Sequence, residues 1–227
     1  YHMEDHVVFY NKEDQWSIPM QNSFGQNQEL KPYYIVARLP GEETEEFILI
    51  QPFTPQNRHN LVGWMAARSD GEHYGELVLF DFPSGRHVDG PNQVEARIDN
   101  DAVISEQFTL WGQVGSEVRR GILLVIPVGD SLLYAEPVFL KPETLEFPEL
   151  RRIILADSNQ VVMHQTLDAS IDALVGKLPP VAPPAEADEP MEPQEAGEAV
   201  GPKFREGLKQ AVDDLQKVVD QLKELIR

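Results

Sequence analysis

Cysteine is missing from the sequence altogether, and basic residues are scarce. The absence of cysteine excludes disulfide bonds, thiolate nucleophiles and zinc-thiolate or iron–sulfur centres. Only 19 Lys and Arg stand against 38 Asp and Glu, which gives the 227 residues a formal net charge of −19. Nucleic-acid binding and electrostatic adsorption to anionic lipid both require an excess of cations, so we expect neither kind of partner.

Long hydrophobic runs are missing as well. A helix that crosses a bilayer needs about 20 mostly apolar residues, whereas the longest apolar stretch, residues 121–128 (GILLVIPV), is short and contains proline. This stretch predicts a buried strand instead. The first residues, YHMEDH, carry neither the basic nor the apolar segment of a signal peptide. We therefore expect a soluble chain that makes no direct contact with a membrane.

The sequence also lacks the short motifs that carry well-understood chemistry. It contains no phosphate-binding GxxxxGK[ST] loop, no GxGxxG turn after a strand, no HExxH pair and no GxSxG nucleophile elbow. We therefore predict no catalytic, cofactor-binding or metal-binding residue, and a protein without enzymatic activity.

Residues 1–177 do contain enough apolar material for a folded domain, since 41% of the whole chain is hydrophobic. Their short apolar segments, separated by turn residues, predict an α+β domain with a largely antiparallel sheet and short interspersed helices. The predicted strands cover 32–39, 46–50, 75–82, 118–128, 131–140, 151–156 and 160–163, and the predicted helices begin at Thr54-Pro55, Gly90-Pro91, Ser105 and Thr166. No repeat of 20–50 residues is evident, which excludes solenoids and propellers.

Two further segments follow this domain. Residues 178–202 hold seven of the 18 prolines and six acidic residues without a basic one, a composition typical of an extended or disordered linker. Residues 203–227 predict one amphipathic helix, because apolar residues from Phe204 to Leu225 recur at alternating spacings of four and three. Such a stripe must be buried, so we expect the helix to pack on the domain or on a second copy of itself.

Two clusters of polar residues allow more than one interpretation. His2 and His6 stand four residues apart, a spacing that suits a metal ion on a helix, although a surface segment explains them as well. Asp70, Glu72, His73 and Glu76 are rich in oxygen ligands, but the glycines among them favour a tight turn over an ion site.

The remaining polar and aromatic candidates have structural interpretations. The isolated arginines are expected to pair with carboxylates, Trp64 and Trp111 to lie in the core on apolar helix faces, and 99–101 to cap helices. The arginines in question are Arg58, Arg68, Arg97, Arg119 and Arg120. A hydrolase would require a pocket that joins His73 or His164 to a carboxylate and a nucleophilic Ser or Thr.

A series of ordered segments carries a family resemblance across most of residues 1–175. They are 8–14 (VFYNKED) with Trp16, 32–34 (PYY), 52–55 (PFTP), Asn60, 64–71 (WMAARSDG), 74–75 (YG), 90–98 (GPNQVEARI), 104–105 (IS), 110–111 (LW), 115–116 (GS), 120–127 (RGILLVIP), 132–137 (LLYAEP) and 148–150 (PEL). In these segments the chain resembles the C-terminal part of the bacterial multi-pass membrane proteins known as uncharacterised protein family 0182.

The resemblance implies a parent protein in the cell membrane, with this domain outside the cytoplasm and the missing upstream membrane-spanning portion as one partner. No catalytic residue is established for the family. We therefore expect a module for assembly or protein interaction, with a homo-oligomer through residues 203–227 as a second contact. The alternatives are a sensor or carrier domain for a small cationic ligand or divalent metal, and thirdly an unrecognised hydrolase.

Overall fold

Short alternations of apolar and polar residues build most of the described chain into β-strands. The computed structural model describes residues 6–11, 15–83, 85–113, 116–129, 131–142 and 147–182. Within these ranges the elements are, in chain order, α1 (His6–Asn11), β1 (Trp16–Ser17), β2 (Met20–Ser23), β3 (Gln26–Glu29), β4 (Tyr33–Arg38), β5 (Glu45–Pro55), β6 (Gly63–Arg68), β7 (Leu77–Asp81), α2 (Pro91–Asn100), α3 (Ala102–Gln113), β8 (Ser116–Arg120), β9 (Leu124–Val128), β10 (Ser131–Pro142), β11 (Glu149–Ala156), β12 (Val161–His164) and α4 (Leu167–Leu174).

The first sheet is organised around the long strand β5. Strand β4 pairs with its first half and β1 with its last two residues, while β6 also pairs with β5 and β7 pairs with β6. All these pairings are antiparallel. The buried side of this sheet carries its own apolar cluster, in which Ile48, Ile50, Trp64 and Ala66 are at most 2% exposed.

The second sheet repeats the same arrangement around the long strand β10. Strand β9 pairs with the first part of β10 and β8 with its end, while β11 pairs along β10 and β12 pairs with β11. These ladders are antiparallel as well. The described part of the chain therefore contains the same five-strand connectivity twice, once in β1 and β4–β7 and once in β8–β12.

Helices cover both faces of the second sheet. Helices α2 and α3 contribute Val94, Ile98 and Ile104 to the largest apolar cluster, where they meet sheet residues such as Tyr134 and Ile154. On the opposite face, α4 contributes to a separate cluster with strands β9 to β12. This two-sided cover buries the second sheet.

The helix starts follow local chemistry. Gly90 precedes α2 because a Cβ at this position would collide with the carbonyl oxygen of His59, and the Gln93 side chain accepts the Gly90 N–H at 3.0 Å. The Asp101 carboxylate accepts the Val103 and Ile104 N–H groups at 3.0 Å at the start of α3. The expected caps at 99–101 and at Thr166 are therefore present, the latter accepting the Ala169 N–H at 3.2 Å.

The expectation of an α+β domain with antiparallel sheets is confirmed, but three elements differ from their predicted form. The strand predicted over 118–128 is split into β8 and β9, and α3 begins at Ala102 and not at Ser105, because the Asp101 carboxylate caps it. The helix predicted to begin at Thr54-Pro55 does not form, because Pro55 ends β5 and Trp64 and Met65 lie in β6. Pairing with β5 and β7 on both sides of β6 overrides the helix propensity of its Met-Ala-Ala segment. Trp64 is nevertheless a core residue, as expected, at 2% exposed.

The first residues of the segment assigned to the linker pack on the second sheet. Residues 178–182, assigned from composition to the linker, run beside β12: the Met163 N–H donates to Pro180 O at 2.8 Å and the Ala182 N–H to Met163 O at 3.0 Å. Val181 packs against the largest apolar cluster. Proline carbonyls still accept hydrogen bonds, so a proline-rich composition does not prevent this contact. The rest of the predicted linker and the helix predicted over 203–227 lie outside the described residues.

Candidate functional site

A cluster of largely buried charges lies where helix α2 meets the second sheet. The Arg120 guanidinium donates two hydrogen bonds of 2.8 Å to the Glu136 carboxylate and also pairs with Asp99. Glu136 is fully buried. The Glu95 carboxylate, 6% exposed, accepts the Asn22 N–H at 2.8 and 3.0 Å. Strands β2, β8 and β10 and helix α2 therefore meet in one charged cluster.

Burial controls the protonation of this cluster. Desolvation raises the pKa of Glu95 to about 7, against the opposing effect of the Asn22 N–H. Desolvation also raises the pKa of Glu136, although its hydrogen bonds with Arg120 act in the opposite direction. Because both Glu136 oxygens are bound by the guanidinium and closed off from solvent, Glu136 offers no accessible carboxylate to a substrate. Arg120 also pairs with the exposed Asp99 and thereby links the second sheet to α2.

A cavity of about 480 Å³ lies between the segment that precedes α2, the start of β10 and the β11–β12 turn. At its wall Asp89 accepts from Arg97 at 3.0 Å and lies 3.0 Å from His87 Nε2, while its backbone carbonyl accepts the Tyr134 hydroxyl. Ser131 and Ser158 also line the cavity. Among the described residues neither serine hydroxyl is hydrogen-bonded to the His87 ring, so the cavity does not assemble a serine nucleophile with its base.

The histidines singled out in the sequence occupy structural positions. His73 lies in the β6–β7 connection, half exposed, with its Nδ1 3.2 Å from Glu76. His164 lies at the end of β12 and is bound through Nε2 to the Pro179 carbonyl at 2.7 Å. His6 begins α1, and His2 lies outside the described residues. The described residues bring none of these rings to a serine or threonine hydroxyl.

The acidic 69–76 segment forms the turn between β6 and β7. Asp70 accepts the Phe47 N–H at 3.1 Å, and the Gly75 N–H donates to Arg68 O at 2.8 Å. Arg68 is 7% exposed and binds Glu46 through two nitrogens, one of them at 2.7 Å, and Glu42 at 3.1 Å. The described part of the chain holds no group of three His, Asp or Glu side chains arranged for a metal ion.

Four of the five arginines selected from the sequence have carboxylate partners, as expected. The guanidinium groups of four of them form ion pairs with a nearby Asp or Glu: Arg68, Arg97, Arg119 and Arg120. Within the described ranges no ion pair involves Arg58, which lines a cavity beside β1 and the β5–β6 connection. The arginines therefore do not converge on a common anion site.

The largest feature that the sequence did not reveal is an exposed apolar surface on the first sheet. On the side opposite its buried cluster, Tyr34, Val36, Leu77 and Leu79 are 49–68% exposed. The Tyr34 and Phe47 rings stack there at 4.9 Å with 9° between their planes. We call this surface the outer face; it comprises Tyr34, Val36, Phe47, Leu49, Met65, Ala67, Leu77 and Leu79.

The sequence pattern of this face becomes clear only once the strand pairing is known. In β4 and β7 apolar residues occupy consecutive positions, so both faces of each strand are apolar, whereas a strand with one solvated face alternates. A contiguous exposed surface of this kind marks an interaction site more often than isolated exposed residues do. The outer face is therefore the strongest candidate functional surface.

No helix among the described residues is both long and apolar enough to cross a bilayer.

The family model and the similar proteins all point to one family. Residues 1–111 match the family described as Uncharacterised protein family (UPF0182). The chain is 51% identical over 177 residues to a UPF0182 protein of Pelotomaculum thermopropionicum, covering 78% of this chain and 19% of that protein. It is 44% identical over 224 residues to a UPF0182 protein of Moorella thermoacetica, covering 99% of this chain and 24% of that protein.

A UPF0182 protein of Trichodesmium erythraeum is 50% identical over 176 residues, which cover 78% of this chain and 19% of that protein. The chain thus spans about a fifth to a quarter of the length of the curated relatives it matches. No solved structure matches the chain.

Proposed function

Since the chain belongs to the uncharacterised protein family UPF0182, we propose that it is a non-enzymatic module that works by binding other polypeptide within a larger membrane protein. Its relatives are four to five times longer than the matched segment, so most of such a protein is available as a partner. The family resemblance supports a multi-pass parent in the cell membrane, with this domain outside the cytoplasm.

The observation that carries the proposal is the outer face of the first sheet. Four strands present apolar side chains there, and Leu77 and Val36 are 68% and 64% exposed. Burying apolar surface is worth about 25 cal/mol per Å², so a face of this kind favours contact with another apolar surface. A protein partner provides such a contact with shape complementarity.

The buried charges support a binding role over a catalytic one. A general acid or base must reach the reacting group, whereas the Glu136 carboxylate is closed off from solvent and held by Arg120. Glu95, with its raised pKa, is also almost fully buried. Glu136 and Arg120 join β10 to β8, and Glu95 fixes α2 to β2, so these groups hold the domain in shape.

The sequence of residues 203–227 adds a second contact to the proposal. Its apolar stripe, from Phe204 through Leu215 and Leu222 to Leu225, is wide enough for a helix that self-associates. We propose that this helix joins copies of the chain into a homo-oligomer.

Sedimentation equilibrium of the whole chain tests this oligomer. We expect residues 1–227 to sediment as an oligomer and 1–182, which keeps the segment bound to β12, as a monomer with the same melting temperature. Leu215→Asp, on the stripe, should shift the whole chain to the monomer, whereas Gln210→Asp, on the polar side of the predicted helix, should not. Equal masses for all four proteins would overturn the oligomer.

Crosslinking of the full-length protein in its native membrane tests the wider proposal. We expect crosslinks between this domain and other segments of the protein or its neighbours, and labelling of the domain by a reagent that does not cross the membrane. A domain that labels only after the membrane is opened would overturn the extracytoplasmic placement. A full-length protein without any crosslink to this domain would overturn the binding role.

A further inference from the structure

The two sheets correspond residue by residue when Pro52 of β5 is aligned with Pro137 of β10 and Ala67 of β6 with Ala156 of β11, because all their strand pairings then fall in equivalent registers. On the outer face, Tyr34, Leu49, Ala67 and Leu77 are cross-strand neighbours in one row. The corresponding row of the second sheet is Val125, Tyr134, Ala156 and Val161. The next row, Gln51, Met65 and Leu79, corresponds in the same way to Glu136, Ile154 and Met163. The outer face thus has a defined counterpart in the second sheet.

That counterpart is buried under helices. Val125 and Met163 are fully buried, and Tyr134, Ile154 and Ala156 are at most 3% exposed. The cover consists of α2 and α3, whose apolar residues belong to the same cluster. These helices come directly before β8, the first strand of the second sheet. One half of the domain therefore shows what covers this type of face and where in the chain the cover comes from.

In the first half the cover is missing from the described residues. Tyr34 and Leu79, the counterparts of the buried Val125 and Met163, are 59% and 49% exposed, and Leu77, the counterpart of the partly buried Val161, is 68% exposed. The helix that comes before β1 is α1, which has only six residues. It occupies the chain position that α3 occupies before β8. Nothing described in front of it corresponds to α2.

We propose that the outer face is the binding site for a helical hairpin supplied by the rest of the full-length protein, lying across the first sheet as α2 and α3 lie across the second. The inference rests on the proposed function and specifies its surface and partner. The partner's chemistry follows from the face: a helix with Leu, Ile, Val or aromatic residues at spacings of three and four on the side that meets the sheet.

The length of the relatives and the cover of the second sheet favour this partner over a second copy of the chain. The relatives extend to four or five times the matched length, which leaves ample chain to supply the helices. A second copy joined through this face would place another sheet on it, whereas the corresponding face of the second sheet is covered by helices. The second copy is therefore an outcome that the experiment must be able to detect.

Cysteine labelling tests the proposal, because the chain contains no cysteine of its own. Leu79→Cys places a thiol on the outer face, and Val128→Cys, at a strand position 56% exposed on the second sheet, is the matched control. We expect both thiols to react with a maleimide at similar rates in the isolated 1–227 chain. In the full-length protein, with any other cysteines removed, Leu79→Cys should react at least tenfold more slowly and Val128→Cys at an unchanged rate.

Each other outcome has a definite meaning. An unchanged rate for Leu79→Cys in the full-length protein overturns the proposed binding site, while crosslinks at other surfaces would still support the binding role. Protection of Leu79→Cys in the isolated chain that grows with protein concentration assigns the face to a second copy and also overturns the inference. A photo-crosslinker at position 79 of the full-length protein should attach to a helical segment of the same chain; attachment only to lipid would overturn the proposal.

Discussion

The two sheets of the domain share one strand connectivity but differ in how their faces are covered. The second sheet is enclosed by α2 and α3 on one side and α4 on the other. A buried ion pair, Arg120–Glu136, joins its strands β8 and β10, and Arg120 also pairs with Asp99 of α2. The first sheet leaves an equally apolar face open. Connectivity and register therefore do not decide whether a face is buried; what decides it is whether a neighbouring segment supplies the cover.

The buried Arg120–Glu136 ion pair provides the largest expected difference in stability loss between the two halves. Arg120→Ala removes the partner of the fully buried Glu136, and an unpaired buried charge typically costs about 3–5 kcal/mol. Arg68→Ala in the first half should cost less, about 1–2 kcal/mol, because its partners Glu46 and Glu42 are 11% and 41% exposed and both can be hydrated. Urea unfolding of the 1–227 chain measures both losses. Equal losses would show that the two charged clusters are equally buried in solution.

A pair of corresponding apolar positions provides the next contrast. Met163→Ala should lower the free energy of unfolding by about 2–5 kcal/mol, since the side chain is fully buried beneath α2 and α3. Leu79→Ala, at the corresponding exposed position, should cost about 0.5 kcal/mol or less in the isolated chain. Urea unfolding of the two variants side by side measures the difference. A cost for Leu79→Ala close to that for Met163→Ala would mean that the outer face is already covered.

The pH dependence of stability provides a third, smaller contrast, because the buried Glu95 lies next to the second sheet. The pKa of this carboxyl is about 7 in the folded protein and about 4.3 in an unfolded chain. Between these values the folded state holds the extra proton, so stability falls as pH rises from about 4.5 to 7 and then levels off. Glu95→Gln should remove this decrease. The variant should therefore gain about 1–3 kcal/mol of unfolding free energy over the unmodified chain at pH 8, compared with the same difference at pH 5.

Melting temperatures of Glu95→Gln and of the unmodified chain at pH 5 and pH 8 test this expectation. Glu106→Gln, at an exposed position of α3, is the control and should leave the pH profile unchanged. If Glu95→Gln shifts the melting temperature equally at both pH values, the Glu95 carboxyl titrates normally and the burial argument is wrong.

Local signals in the sequence predicted the elements with strong turn or cap residues. The hairpin around Gly129-Asp130 forms, with Val128 paired to Ser131, and α2 starts at Gly90-Pro91 as expected. The 63–68 segment was mistaken for a helix because its pairing with β5 and β7 depends on residues far along the chain. The β2–β3 hairpin was not predicted, since its polar strands carry no apolar alternation.

The candidate surfaces were less accessible to sequence reasoning than the elements. Glu95, Arg120 and Glu136 meet only after α2 packs on the second sheet, so no spacing in the sequence links them. The duplicated connectivity is hidden because the aligned strands keep few identities, such as Pro52 with Pro137 and Ala67 with Ala156. Without that correspondence, the apolar residues of β4 and β7 look like ordinary core positions.

One phenol links the facing edges of the two sheets. The Tyr33 hydroxyl donates to the Val125 carbonyl and accepts from the Val125 N–H, both at 2.7 Å, so a side chain takes the place of a backbone neighbour between strands β4 and β9. The amide proton of Val125 can therefore exchange with deuterium only when the two halves separate at this point. The hydrogen–deuterium exchange rate of this one amide therefore reports how often the two sheets separate at this point.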